Sequence, residues 1–477
     1  YGGTITRLDR RTGLTRDVIA YPQLQLAQDR GELRYRYQWN APIRLSPHDP
    51  DVLYHTSQYV HRSTDEGHSW EEISPDLTTD DPEHQGYSGG PITRDGTGVE
   101  VYGTIFAFEE SPHQAGVLWA GSDDGLVHVS RDDGATWTDV TPDPMPAGAT
   151  VNTIELSPHR DGKAYVAAYR YREGDRSPYA YVTTDYGASW RTISDGIPEN
   201  HFVRVVREDP DREGRLSAGP DYAMFLSFDD GGSWQSLQLN LPVTPVTDIQ
   251  VHRQDLVLST QGRSFWILDN LTPLHGLTDE VRAASLAFAE PRDPIRLNGS
   301  GGFSLPGGRR AADAPGGVQF DYYLPDNEEE GGFEGPVKLT ITDADGNLVR
   351  EFGSERPEGP ARPIPEIFRI LAEIFGFDIG GKLLPKNAGH NRYLWDLTYE
   401  APKLPPGAVI FGWLTGPTAV PGVYTAELTA GDETRTQTFE ILPDPRGSAS
   451  VEDMQAQLDF LESVGERLTT LGEQVAE

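Results

Sequence analysis

Four carboxylates and five arginines are the side chains of this sequence placed to do chemistry outside its repeated turns: Asp95, Asp123, Asp124 and Glu173, with Arg170, Arg172, Arg204, Arg207 and Arg263. Two carboxyl groups flanking a glycosidic bond can hydrolyse it, with retention at a separation of about 5–5.5 Å and inversion at about 6.5–9.5 Å. Grouped guanidiniums can grip a substrate carboxylate through paired N–H donors. Asp123-Asp124-Gly125 also has a plainer reading, a hairpin turn between two short strands. Arg170, Arg172 and Glu173 sit in an arginine- and tyrosine-rich connection from Tyr169 to Tyr179. Other chemistries lack their residues. The twelve histidines are scattered with no His-Glu-x-x-His, and His48, His113 and His159 fall in repeated Ser-Pro-His turns, which reads as structural. There is no Gly-x-Ser-x-Gly and no phosphate-binding loop. With no cysteine, disulfides and thiolate metal sites are excluded. No metal site and no cofactor is expected.

The elements that would position these groups are set by a repeat. An eight-residue box occurs as Ser63-x-Asp65-x-Gly67-x-Ser69-Trp70, Ser130-x-Asp132-x-Gly134-x-Thr136-Trp137, Thr183-x-Asp185-x-Gly187-x-Ser189-Trp190 and Ser227-x-Asp229-x-Gly231-x-Ser233-Trp234. The aspartates are 67, 53 and 44 residues apart. A period of roughly 40–50 residues, with insertions falling in loops, is the mark of a propeller. Each residue type has a task in a tight hairpin: Asp accepts backbone N–H groups, Gly takes a positive φ and Ser or Thr caps locally. The Trp packs against the neighbouring sheet. Asp65, Asp132, Asp185 and Asp229 are therefore expected to be structural.

Composition narrows the classes further. The net charge of −34 and pI near 4.6 argue against nucleic acid and against anionic membranes. Arginine outnumbers lysine 35 to 5, and so acidic a surface suits a salty environment. No apolar run reaches the roughly 18–20 residues of a membrane span. The chain starts at Tyr1 without a signal peptide, which fits a processed or partial chain.

Taken in order, residues 1–275 read as a propeller of about five to six blades that upstream sequence could complete. Residues 1–20 look like the end of a blade, with Asp9 and Gly13 a degenerate box. A long Gly-, Asp- and Thr-rich insertion from Asp76 to Thr97 is of a length that is often functional. In the last blade the box is replaced by Gln261-Gly-Arg-Ser-Phe-Trp-Ile-Leu-Asp269. Residues 276–315 read as a linker, and 316–446 as an Ig-like β-sandwich with a helical, apolar insertion near 364–377. Asp343-Ala-Asp-Gly-Asn347 is a hairpin turn rather than a Ca²⁺ loop, since its Gly comes too early and no bidentate Glu follows. Residues 447–477 form an amphipathic helix, with Ser450 as N-cap and a stripe of Val451, Met454, Leu458, Leu461, Leu468, Leu471 and Val475.

The box resembles the Asp-box of sialidase-type (BNR) repeats. The whole chain resembles the second half of a large bacterial family of exported, sortilin-type BNR propeller proteins. The residues that carry this are Trp39-Asn-Ala-Pro-Ile-Arg-Leu-Ser-Pro-His-Asp-Pro50, Ser88-Gly-Gly-Pro-Ile-Thr-Arg-Asp-Gly-Thr97, Phe202-Val-Arg-Val-Val-Arg-Glu-Asp-Pro210, Gln261-Gly-Arg-Ser-Phe-Trp266, Asn391-Arg-Tyr-Leu-Trp-Asp396 and Pro421-Gly-Val-Tyr424. The resemblance implies an all-β chain of propeller, Ig-like domain and C-terminal helix, located outside the cell or in the periplasm. It implies a binding or scaffolding role toward a protein or glycan. The N-terminal half of the same precursor, or another subunit, is a second expected partner. The alternative is a glycoside hydrolase of sialidase or xyloglucanase type. No Phe/Tyr-Arg-Ile-Pro motif of the sialidase kind is present, and the hydrolase label attached to such families rests on the repeat alone.

Overall fold

The computed structural model describes residues 2–26, 28–87, 89–94, 96, 98–297, 316–325, 332–355, 383–403 and 415–476. The insertion expected near 364–377 and the candidate Asp95 lie outside them. The chain forms two compact units, Tyr1–Leu268 and Asp269–Glu477.

The first unit is a series of small antiparallel sheets, each built from strands consecutive in sequence. It opens with a hairpin, β1 (Thr6–Leu8) and β2 (Thr15–Asp17). Four complete four-stranded sheets follow: β3 to β6 (Ile43–Leu45, Leu53–Thr56, Val60–Ser63, Glu71–Glu72), β7 to β10 (Ile105–Glu110, Leu118–Ser122, Val127–Ser130, Thr138–Asp139), β11 to β14 (Thr150–Leu156, Ala164–Arg170, Asp175–Thr183, Arg191–Thr192) and β15 to β18 (Val203–Asp209, Arg212–Pro220, Phe225–Ser227, Gln235–Ser236). A fifth sheet has three strands, β19 (Val246–His252), β20 (Asp255–Thr260) and β21 (Phe265–Leu268). This is a propeller-like arrangement of blades. Their first and second strands are rich in β-branched and aromatic residues, and the layers between blades are apolar: Val151, Ile154, Val166 and Tyr181 in one, Val203, Val206, Leu216 and Trp234 in another.

Each box folds as a hairpin between third and fourth strands. In the first, Asp65 Oδ1 accepts the Ser69 N–H at 2.8 Å and Oδ2 the Ser69 hydroxyl at 2.7 Å, while Ser63 Oγ accepts the Gly67 N–H at 2.8 Å. The same bonds recur at Asp132, Asp185 and Asp229. The residue after each Asp and the Gly that follows both have positive φ, near 60° and 80°. Glycine is required there twice over, by φ and by space. A Cβ on Gly134 would lie 2.6 Å from the Ile73 carbonyl oxygen, and one on Gly187 2.6 Å from Val140 Cβ. The box therefore welds its own turn and also seats the preceding blade. The Trp indole adds a bond in the same direction: Trp137 to Ile73 O, Trp190 to Val140 O and Trp234 to Ile193 O, at 2.6–3.0 Å.

The initial hairpin repeats the outer half of a blade. Val18 N–H bonds to Ile5 O at 2.9 Å, as Ile73 does to Val60 and Val140 to Val127, and Val18 packs under Gly67 as Ile73 packs under Gly134. The Ser-Pro-His turns form a second chain of links. His48, His113 and His159 each reach the next blade's carbonyl, at Ser111, Ser157 and Asp209, over 2.7–3.0 Å.

The second unit begins with two short helices, α1 (Thr272–His275) and α2 (Asp279–Ala283). The described part of 276–315, expected as linker, also contributes β22 (Ala287–Phe288) and β23 (Ile295–Arg296) to this unit's sheets. The other strands are β24 (Val318–Leu324), β25 (Val337–Asp343), β26 (Leu348–Gly353), β27 (Gly389–Trp395), β28 (Gly422–Ala430) and β29 (Glu433–Pro443). They form sheets ordered β22-β24-β27 and β23-β29-β28-β25-β26 that share one core around Phe320, Tyr322, Leu339, Trp395, Tyr424 and Phe439. Asp343 Oδ1 accepts the N–H groups of Asp345 and Asn347, closing the β25–β26 hairpin. Helix α3 (Val451–Ala476) starts with reciprocal bonds between Ser450 and Asp453. Of its apolar stripe only Met454 and Leu458 are buried.

Candidate functional site

Antiparallel order decides which candidates can meet. Turns between first and second strands and between third and fourth strands lie at one end of a blade. Turns between second and third strands, and connections from the fourth strand to the next blade, lie at the other. The boxes and the Ser-Pro-His turns share the first end. Asp123 and Asp124 (after β8), Arg170 (the last residue of β12), Arg172 and Glu173 (after it), Arg204 (at the start of β15) and Arg263 (before β21) share the second, called here the loop end.

At the loop end Asp123 is buried. Its Oδ1 accepts the N–H groups of Gly103 (3.0 Å) and Thr104 (2.8 Å), and its Oδ2 the Thr104 hydroxyl (3.0 Å) and the Gln38 amide (2.7 Å). Burial pushes its carboxyl up to about 7, against the pull of these donors. Asp124 Oδ2 accepts the N–H and hydroxyl of Thr79 at 2.8 and 2.7 Å, tying the turn to the long β6–β7 connection. Glu173 pairs with Arg170. Tyr102 lies among these groups: burial, and then the charges of Asp124, Asp123 and Glu173, raise its phenol to about 12. All three described carboxylates thus have partners within the fold, and Asp123 and Asp124 act as tethers of loops.

The arginines divide. Arg207 sits in the middle of β15, not at the loop end. It bonds Glu155 of β11 at 2.6 Å and Asp248 of β19 at 2.9 Å, in a line of charges on the first strands that also includes the Arg44–Glu109 pair. Burial pushes Glu155 up to about 7 against the attraction of Arg207. Arg207 is therefore a blade-to-blade tie. Arg263 is exposed on the β20–β21 turn, two blades along from Arg170 and Glu173, and gives its carbonyl to the Trp266 indole.

Arg172 and Arg204 come together on a bed of rings. Tyr171 and Phe202 stack with centroids 4.6 Å apart and 14° between planes, and Tyr169 adjoins Tyr171 at 5.0 Å. Arg204 lies 5.0 Å from the Phe202 centroid and 5.2 Å from that of Tyr171; Arg172 lies 5.6 Å from Tyr171 and 5.7 Å from Tyr169. Among the described residues neither guanidinium is within ion-pair distance of a carboxylate, and Arg204 Nε is buried with no hydrogen-bond partner. Next to them Arg176 is paired with Asp221. The residues that sequence reasoning did not single out are Phe202, Tyr102, Thr79 and Gln38. Phe202 was legible two positions before Arg204, whereas Gln38 and Thr79 carry no local signal. The arrangement can hold an anionic or flat polar group: cation and ring faces are presented together, with hydrogen-bond donors to spare.

No family model and no curated protein matches this chain. Among solved structures it is similar to a GH74 xyloglucanase from Xanthomonas campestris, at 17% identity over 48% of this chain and 36% of that one, with a TM-score of 0.38. It is similar to YCF48 bound to D1 peptide (15%, 50% of this chain and 68% of that one, TM-score 0.31). It is also similar to PorZ, a surface component of the type-IX secretion system of Porphyromonas gingivalis (12%, 85% and 51%, TM-score 0.35). The match spans about a third of the xyloglucanase and about half of PorZ. These are likenesses to β-propeller proteins.

Proposed function

We propose that this chain is a binding module of an exported Asp-box propeller protein, with an Ig-like second unit, that engages a protein or glycan through the loop end of its blades. The observation that carries this reading is the pairing state of the charges there. The candidate carboxylates Asp123, Asp124 and Glu173 are bonded within the fold, while Arg172 and Arg204 lie on the Tyr169–Tyr171–Phe202 bed without an acidic partner among the described residues. A partner with a carboxylate or sulfate beside an apolar or sugar face complements that surface. Screening the chain against acidic and neutral oligosaccharides and acidic peptides tests it. Acidic ligands should be retained, and Arg172→Ala with Arg204→Ala should abolish retention without lowering the melting temperature. Retention of neutral ligands alone, insensitive to both substitutions, would overturn the reading.

The hydrolase alternative draws on one feature, a carboxyl held near 7 at Asp123. Four donors hold that group inside the protein, away from solvent, which disfavours a role as general acid. No release of reducing sugar from xyloglucan or of sialic acid from sialyllactose is expected. Turnover abolished by Asp123→Asn in a folded protein would restore the hydrolase.

A further inference from the structure

The fifth blade ends one strand short, and the four complete blades show what its outer edge is built to take. Register aligns Leu268, opposite Leu256, with Ser63, Ser130, Thr183 and Ser227, the last residues of the other third strands. Three residues earlier stand Val60, Val127, Ala180 and Met224, all 0–2% exposed. Phe265, which has the same place in β21, is 75% exposed, and Ile267 is 57% exposed.

Among the described residues the outward backbone groups there are not paired either. Thr260 N–H bonds to Ser264 O at 3.2 Å, so Ser264, Trp266 and Leu268 turn their polar groups toward β20. Phe265 and Ile267 point theirs outward. In the complete blades that outward edge is used. Ile73, Val140, Ile193 and Leu237 donate to the carbonyls of Val60, Val127, Ala180 and Met224 at 2.8–2.9 Å. In two blades a hydroxyl also accepts the edge N–H, Ser74 from Val60 and Thr141 from Val127, at 2.8 and 2.9 Å.

The four fourth strands share a pattern. They read Glu71-Glu72-Ile73-Ser74, Thr138-Asp139-Val140-Thr141, Arg191-Thr192-Ile193-Ser194 and Gln235-Ser236-Leu237-Gln238. Two polar residues pair with the third strand, an aliphatic residue bonds to the residue three before that strand's end, and a hydroxyl follows in three of the four. After β21 the chain turns instead into Asp269-Asn270 and α1.

We infer that the outer edge of β21 is an acceptor for an extended partner segment that adds antiparallel as the missing fourth strand. Its chemistry is two polar residues, then Ile, Val or Leu, then Ser or Thr. The aliphatic side chain covers Phe265, its N–H reaches the Phe265 carbonyl, and the hydroxyl takes the Phe265 N–H. The seat continues an interface that the molecule already makes four times. An unprotected apolar edge is the kind of surface that β-strand addition uses.

The probe is the chain's own fourth strand offered in trans, a peptide of residues 189–197 (Ser-Trp-Arg-Thr-Ile-Ser-Asp-Gly-Ile). With the full chain alone, the amides of Phe265 and Ile267 should exchange with deuterium as open amides do. Adding the peptide should slow both, and a labelled peptide should bind with a dissociation constant below about 1 mM. Ile193→Pro in the peptide, which removes the donor, should abolish binding. Phe265→Asp in the chain, at an exposed site, should leave the melting temperature unchanged and weaken binding roughly tenfold or more. Edge amides already protected in the free chain would assign the edge to a segment of this chain and overturn the proposal. Absence of binding at about 1 mM peptide, or binding indifferent to Phe265→Asp, would overturn it too.

Discussion

At one end of the blades Asp65, Asp132, Asp185 and Asp229 sit at the surface, and each fastens the turn that carries it, over two to four residues. At the loop end Asp123 sits inside the protein and fastens segments 19, 20 and 85 residues away. The same carboxylate is a local clip in one place and a long-range tether in the other. Local clips can repeat, because everything they need lies within eight residues. Tethers cannot, because each depends on what insertions bring nearby. That leaves the loop end free to differ from blade to blade, and Arg172 and Arg204 lie there.

Removing the tether should have the largest effect. Asp123→Ala leaves the Gly103 and Thr104 N–H groups and the Gln38 amide without their acceptor inside the protein, at a cost of about 3–5 kcal/mol in urea unfolding. Asp229→Ala frees its donors to water and should cost about 1 kcal/mol. Equal losses at the two sites would break the comparison.

Acidity should separate the two ends by sign. Asp65, drawn down to about 2 by the Ser69 N–H and hydroxyl, contributes stability that is present above its ordinary value of 3.8 and is lost as pH falls through about 2. Asp132 and Asp185 are lowered in the same way by the hydroxyls of Thr136 and Ser189. Asp123 and Glu155 are raised to about 7 by burial, so their contribution is complete below their ordinary values and is lost as pH rises through about 7. Burial lowers His55 and His61 to about 4 and about 3, so their contribution is present above their ordinary value of 6.5 and is lost as pH falls toward those values, opposing the two carboxyls between about pH 4 and 6.5. Comparing Asp123→Asn with the parent isolates one group: the difference in melting temperature should move in favour of the variant as pH rises from about 4 to about 7 and stay level above. A difference that is constant across this range would contradict this.

A finer contrast lies among the box tryptophans. Trp190→Phe removes an indole bond to Val140 O and should cost about 1 kcal/mol beyond the packing change. Trp70 Nε1 has no partner beside the incomplete first hairpin, so Trp70→Phe should cost less. Chemical denaturation of the two variants side by side measures the difference. The smallest effect on stability is expected for Arg172→Ala and Arg204→Ala, within about 0.5 kcal/mol, because neither gives up an ion pair.

How far the sequence could be read follows from the same distinction. Asp65, Gly67 and Trp70 announce their hairpin because their bonds are local and recur three more times. The long-range role of Asp123 was hidden, since nothing near Gln38 or Thr79 marks it as a partner for a turn at 123–125. The ties of Arg207 are hidden for a related reason: Glu155 and Asp248, which pair with it, come from neighbouring blades. Arg172 and Arg204 were singled out as guanidiniums. Their distinction from Arg170 and Arg176, which have carboxylate partners, needed coordinates.

The boxes clip their own turns at one end of the blades, and the proposed binding surface of Arg172 and Arg204 lies at the other. Calorimetric titration of an acidic oligosaccharide, oligogalacturonate, into the full chain and into two variants tests that division most directly. Binding that is weakened roughly tenfold or more by Arg172→Ala with Arg204→Ala, and left intact by Asp229→Ala at a temperature where that variant is folded, is the expected result. Binding lost in Asp229→Ala and retained in the arginine variant would contradict it and move the site to the other end of the blades.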